Sequence, residues 1–190
     1  LYSVNFEEFN PRVDPNEWEE LTEKFLTIAQ TLESAGADGF AFCANTPHII
    51  ADKIQNNISI PLINIATETS KEIAKNKVAK VGLLGTRITM EQSFYKDKLA
   101  DVGITTITPA LPVREFIHYT ILKKMAKDIF KAETKERFLQ IINQMNEQGA
   151  EGIVLACTEI PILIKQEDCR LPLFDTTLLH AKAIVDFMLR

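Results

Sequence analysis

Two stretches of this chain are copies of one another, and no other feature limits the possible folds as strongly. GADGFAFCANTPHII (Gly36–Ile50) and GAEGIVLACTEIPILI (Gly149–Ile164) align without a gap. Gly36 lies over Gly149, Gly39 over Gly152, and Phe40-Ala41-Phe42 over Ile153-Val154-Leu155. Each copy runs on into a similar segment, Ile60-Pro61-Leu62-Ile63 in one and Leu171-Pro172-Leu173-Phe174 in the other. A repeat of this kind means one supersecondary unit built twice.

Each copy reads as a strand, a polar turn and the start of a helix. Ile153-Val154-Leu155 is an unbroken apolar run, as in a parallel strand covered on both faces. Pro161 suits the first turn of a helix, where its missing N–H costs nothing. In open α/β sheets ligands bind beyond the carboxyl ends of the strands. Cys157, Thr158 and Glu159 stand at such an end, so a thiol, a hydroxyl and a carboxylate form a candidate site.

The repeat also sets expectations for the rest of the chain. Val81-Gly82-Leu83-Leu84-Gly85 opens the second half, and its counterpart would fall about 33 residues before Leu1. The sequence lacks an initiating Met and begins inside the alternating run Tyr2–Phe6. The expectation is that the first strand and helix of the first half lie outside it. Strands are expected at Leu1–Phe6, Gly39–Cys43, Leu62–Ile65, Val81–Leu84, Ile104–Thr108, Ile153–Cys157 and Leu173–Phe174, with Glu7–Asn16 a loop. Trp18, Leu21, Phe25, Ile28 and Leu32 keep the spacing of one helical face, which predicts a helix over Glu17–Ser34 closed by Gly36 as a left-handed cap. Further helices are predicted at Pro47–Gln55, Thr69–Lys75, from Thr89 to Asp101, Val113–Ile129, Thr134–Gln148, briefly after Cys157, and Leu178–Leu189. The alternation predicts an α/β fold: two pseudo-symmetric Rossmann-like halves with parallel sheets and an active site in the cleft between them. Residues 1–78 with 175–190 are expected to form the first half and 79–174 the second.

Four strand ends carry polar clusters: Cys43–His48, Gly85–Thr89, Cys157–Glu159 and Asp175–Thr177. Hydroxyls, amides and free N–H groups at helix starts suit a small carboxylate. Helix-start dipoles favour a thiolate at Cys157, and the Glu159 carboxylate opposes it. A net charge of −5, spread along the chain, gives no support to nucleic-acid or anionic-membrane binding. No apolar run approaches a membrane span of roughly 18 residues. Three cysteines without framework spacing fit a reduced, cytoplasmic protein.

The clusters carry a resemblance. Asn45-Thr46 followed by His48, Gly82–Met90 (GLLGTRITM), Cys157-Thr158-Glu159 and Leu173–Ala181 (LFDTTLLHA) are similar to the motifs of the aspartate/glutamate racemase family, within the superfamily that includes hydantoin racemases. The resemblance covers essentially the whole chain, apart from a Gly-rich N-terminal segment that the family carries. Glu159 points to the aspartate-racemase side, since glutamate racemases typically have His after Cys-Thr. The family implies a small amino-acid or dicarboxylate substrate and no cofactor, neither pyridoxal phosphate nor metal. It also implies two-base exchange of the α-proton by thiols on opposite faces. The family is often dimeric, which implies a homodimer.

On this resemblance Cys157 is a catalytic thiol, and Ala44, Asn45, Thr46, Thr86, Thr89, Thr158 and Glu159 surround the substrate. Arg12 stands where some relatives have a carboxylate partner, and reads equally well as a surface arginine. The first thiol is the point of departure. The family places it directly before Asn-Thr, where this chain has Ala44, and the repeat likewise sets Ala44 over Cys157. Cys43 is one residue early, so in a strand it is expected on the opposite face as a small buried side chain, unless a bulge turns it inward. With Ala44 at that position, turnover is expected to be slow and unequal for the two enantiomers. A single thiol also resembles the arylmalonate decarboxylase branch, so a single-thiol decarboxylase or isomerase stays open, as does a non-catalytic carboxylate binder. Cys169 reads as an incidental loop thiol, and His48 as a residue that orients its turn. His118 and His180 show no metal-ligand spacing. Lys124 and Lys127, near where relatives carry a substrate lysine, read as a solvated helix face.

Overall fold

A computed structural model describes residues 1–5, 8 and 15–190 of the chain. Helix α1 (Pro15–Ser34) buries Leu21, Phe25 and Ala29 against Phe40, Phe42, Ile50 and Ile54. It ends where the chain must turn left-handed: Gly36 has φ +90°. Gly36 N–H donates to Glu33 and Ala37 N–H to Leu32 O. The second copy repeats this closure, with Gly149 at φ +92° and bonds from Gly149 to Asn146 and from Ala150 to Met145. Glycine alone adopts that backbone without a Cβ clash.

After a 3₁₀ turn (Thr46–Ile50) come α2 (Ala51–Gln55) and α3 (Ile65–Lys75), and then β1 (Lys80–Gly85), α4 (Arg87–Glu91) and α5 (Ser93–Ala100). There follow β2 (Thr105–Ile107), α6 (Leu111–Lys123), a 3₁₀ turn (Met125–Lys127), α7 (Ala132–Glu147) and β3 (Gly152–Ala156). The chain finishes with α8 (Ile160–Leu163), a 3₁₀ turn (Gln166–Asp168), β4 (Leu173–Asp175) and α9 (Thr176–Met188). The four strands form one parallel sheet in the order β2-β1-β3-β4.

Both sheet faces are covered, as the apolar runs require. Leu84, Ile153 and Leu155 face a core with Phe138, Ile141, Ile142 and Met145 of α7. Val81, Leu83, Val154 and Ala156 face Ile65 and Ile73 of α3 and Tyr95 and Leu99 of α5. Each wholly buried Leu, Ile or Phe stabilises the fold by roughly 1.5–3 kcal/mol. Helix α9 packs along α3, and His180 Nε2 lies 2.7 Å from Ile63 O.

The first half departs from expectation. Residues 1–5 form no strand, and Phe6 lies outside the described residues. The strands expected at Gly39–Cys43 and Leu62–Ile65 reduce to a parallel bridge between Phe40 and Leu62. Its bond from Phe40 N–H to Pro61 O, 2.9 Å, is matched in the second copy by Ile153 N–H to Pro172 O, also 2.9 Å. The pairing is therefore repeated, but the ladder around it is not. Asn64 starts α3 earlier than expected, at Ile65, because its side chain accepts from the Ala66 and Thr67 N–H groups. The helix expected from Thr89 to Asp101 is two helices, parted by Gln92 in an extended conformation (ψ 160°). That expected over Val113–Ile129 stops at Lys123 and continues only as a 3₁₀ turn, ended by Asp128 at φ +59°.

Candidate active site

Strands β1 and β3 end side by side, with Gly85 paired to Ala156. A Cβ on Gly85 would lie 2.6 Å from Ala156 O, so a glycine is needed to bring these two ends together. Thr86 then caps α4, its hydroxyl accepting from Thr89 N–H at 3.3 Å. Cys157-Thr158-Glu159 form the bend that leaves β3.

The first copy's turn meets these ends directly. Thr46, Thr86 and Thr89 form a ring of hydroxyls, at 3.0 Å for 46–86, 3.4 Å for 46–89 and 3.0 Å for 86–89. Asn45 Nδ2 donates to Thr176 Oγ1 at 3.1 Å, and that hydroxyl donates to Leu155 O at 2.9 Å. Thr176 spends its proton on Leu155, so it must accept from Asn45, which fixes the amide with its Oδ1 turned away. Among the described residues, Asn45 Oδ1 is buried without a hydrogen-bond partner. A bare buried acceptor costs about 1–3 kcal/mol.

His48 fastens the turn from behind. Its Nδ1 lies 2.9 Å from Ala44 O and its Nε2 accepts from Ile65 N–H at 3.1 Å. That pattern requires a neutral ring protonated at Nδ1. Burial, with His180 nearby, lowers its pKa to about 3.

The two turns line one cavity of about 540 Å³, which holds Cys43, Ala44, Asn45 and Thr46 from one copy and Cys157, Thr158 and Glu159 from the other. The extended strand on which the expected alternation of Cys43 and Ala44 rests is not formed. Residues 43–45 form a bend, so successive side chains need not point apart, and both line the cavity. Nor is Cys43 a small buried side chain, because it is exposed.

Cys157 is 5% exposed. Its Sγ donates to Glu159 Oε2 at 2.9 Å. Burial, then the charge and hydrogen bond of Glu159, push its thiol well above the ordinary range. The backbone N–H groups of Glu159 and Ile160 pull the other way and are outweighed. The thiolate-favouring influence expected at this turn therefore loses to Glu159 and desolvation.

Several further residues fall into place. Thr89 is buried behind Thr86 and does not line the cavity. Arg12 lies outside the described residues. Ala126 lines the cavity, whereas its neighbours Lys124 and Lys127 do not. Cys169 packs against the β3 core away from the cavity. Among the described residues, no cluster of His, Cys, Asp and Glu is arranged to hold a metal ion. Nor, among them, is any helix long and apolar enough to cross a membrane. Sequence reasoning named Thr176 only as part of the Asp175–Thr177 cluster and gave His118 no role at the site. Thr176 had a signal, since it directly follows a strand end. His118 lies within α6, lines the cavity and accepts from Arg87 N–H at 3.3 Å, and no local pattern marks it.

A doubled α/β unit with facing strand-end turns around one small cleft suits a small-molecule enzyme, and comparison with known proteins names the class. Residues 9–184 match the Asp/Glu/hydantoin racemase family, and the chain belongs to it. The broad-specificity amino-acid racemase RacX of Bacillus subtilis is 25% identical over 178 residues, 90% of this chain and 74% of that protein. Among solved structures, a proposed Asp/Glu racemase from Yersinia pestis has a TM-score of 0.92 at 36% identity, covering 100% of this chain and 83% of that one. An aspartate racemase homologue from Pyrococcus horikoshii OT3 has a TM-score of 0.86 at 35% identity, covering 100% and 82%.

Proposed function

We propose that this protein is a cofactor-independent amino-acid racemase that removes and returns the α-proton with thiols, acting on aspartate, glutamate or a related amino acid. The observation that carries the reading is the meeting of Cys43 and Cys157, one from each repeat copy, in a single cavity. An α-proton is weakly acidic, so the site must stabilise the carbanion that forms. Thr46, Thr86 and Thr158 offer hydroxyls to the substrate carboxylate, on which charge builds as the proton leaves. Phe42, Ile88 and Ile121 along the wall lower the local dielectric, which strengthens each of these bonds. A thiol on one face then takes the proton, and the group on the other face gives one back. The homodimer that the resemblance implies, and the reduced cytoplasmic setting that the three cysteines fit, belong to the same proposal.

A second reading has an observation of its own. Cys157 is buried and hydrogen-bonded as a thiol, whereas Cys43 is exposed, which also suits a single-thiol decarboxylase or isomerase whose cysteine protonates a planar intermediate. Incubating the protein with single enantiomers in D₂O separates these readings. Racemisation gives α-deuterium uptake with inversion, decarboxylation gives CO₂, and simple binding gives neither.

A further inference from the structure

Glu159 Oε2 accepts two hydrogen bonds at once, from Cys157 Sγ at 2.9 Å and from the Thr158 hydroxyl at 2.8 Å. An ionised carboxylate only accepts, so the sulfur in this arrangement carries its proton. The opposite turn has no equivalent. The repeat sets Thr46 where Glu159 stands, and Thr46 faces Thr86 and Thr89 instead. A two-base racemase needs one protonated and one unprotonated group whenever substrate arrives. In a symmetric cleft the proton would rest on either side, and this cleft is not symmetric.

We infer that Glu159 is a positioning residue that keeps the resting proton on Cys157, so that the free enzyme is set to handle one enantiomer first. This inference rests on the thiol-racemase reading given above. For the favoured enantiomer, the group opposite takes the α-proton. The Cys157 S–H bond then breaks as the new C–H bond forms, and its electron pair stays on sulfur as thiolate. Solvent returns a proton to that sulfur, and the opposite group releases the α-proton to solvent. For the other enantiomer, Cys157 must first hand its proton to Glu159 Oε2. The group opposite must also take a proton from solvent; the thiolate then removes the α-proton, the opposite group gives its proton to the carbanion as the new C–H bond forms, and Glu159 releases its own to solvent. That route starts from a thiol which burial and the neighbouring carboxylate both hold protonated, so it begins more slowly. The other titratable groups on the cavity wall are Cys43, Tyr2 and His118, and no lysine or arginine lines it among the described residues.

The test is Glu159→Gln, read in two ways. First, the pH profile of Cys157 alkylation by iodoacetamide is followed by peptide mass spectrometry, which needs no turnover. The profile should move at least one unit lower, a gain of about tenfold in rate at fixed pH below the midpoint. Second, at saturating substrate the ratio of initial rates for the two enantiomers should change by roughly threefold or more, while equilibrium stays at one to one. Glu159→Asp, which keeps the charge, should hold the profile close to wild type and checks that any shift is not loss of fold. An unmoved alkylation profile in Glu159→Gln overturns the inference, as does an unchanged ratio in an enzyme that racemises. If wild-type protein exchanges no α-proton, the racemase reading fails, and the alkylation profile alone still decides whether Glu159 holds the proton on Cys157.

Discussion

Replacing Thr176 by Val tests how the Asn45 turn is held against the end of β3. Thr176 is wholly buried, donates to Leu155 O at 2.9 Å and accepts from Asn45 Nδ2 at 3.1 Å. Valine has nearly the same shape, so no cavity opens, and the change removes those two bonds. Each buried group left bare costs about 1–3 kcal/mol. Asn45 Oδ1 already lacks a partner, so the amide would be bare at both ends. Thr176→Val should therefore lower unfolding stability by about 2–4 kcal/mol, read as a lower urea midpoint at unchanged slope. Thr176→Ser keeps both bonds and loses a methyl group, a cost of about 1 kcal/mol. Because Asn45 lines the cavity, KM should rise more in the valine variant than kcat falls. A loss below about 0.5 kcal/mol for Thr176→Val, no larger than that of an ordinary surface change, would refute the bridge from the Asn45 turn to β3.

Other outcomes are fixed by the same geometry. Cys157→Ser should abolish turnover with circular dichroism unchanged, because a serine hydroxyl is far less acidic than a thiol. Cys43→Ala should cost under about 0.5 kcal/mol in stability, since the side chain is exposed, yet sharply reduce racemisation, while Ala44→Cys changes little. Gly85→Ala should destabilise by about 1–3 kcal/mol in urea melts, because the new Cβ meets Ala156 O at 2.6 Å. The folded-state pKa of His48, about 3, lies below its unfolded value of 6.5, so the unfolded chain binds its proton first. Stability should hold above pH 6.5 and fall between 6.5 and about 3, by up to roughly 1.4 kcal/mol per pH unit from this residue. His118 and His180, also lowered by burial, add to the same trend, and His48→Gln should flatten the urea midpoints between pH 6.5 and 5.

The repeat made much of the fold legible, since paired glycines at helix ends and apolar runs after them have one physical use. Gly36 and Gly149 both take positive φ, and the Phe40–Pro61 and Ile153–Pro172 bonds fall at matching positions of the two copies. The break at Gln92 was not legible, because no glycine or proline marks it. Position 43 misled for a related reason. Alternation holds only while the chain stays extended, and pairing in the first copy ends at Phe40, before the cysteine. At the site, composition pointed to the threonines one by one, but not to their bonding with one another across the two halves. The Thr46–Thr86 contact joins residues far apart in sequence, and only the packed halves bring them to 3.0 Å. The balance at Cys157 needed structure for the same reason: the sequence offered opposing influences, and its near-complete burial tips them toward the thiol.

The central claim, α-proton exchange between groups on opposite faces of the substrate, is tested most directly by early-time isotope analysis. A single enantiomer is incubated with the protein in D₂O, and substrate and product enantiomers are separated after a few per cent conversion (roughly, to stay in initial rate). Two facing groups predict that the product carries α-deuterium while the recovered substrate keeps protium. Equal deuterium in both, or product that retains protium, would mean that a single group works on both faces and would contradict the account.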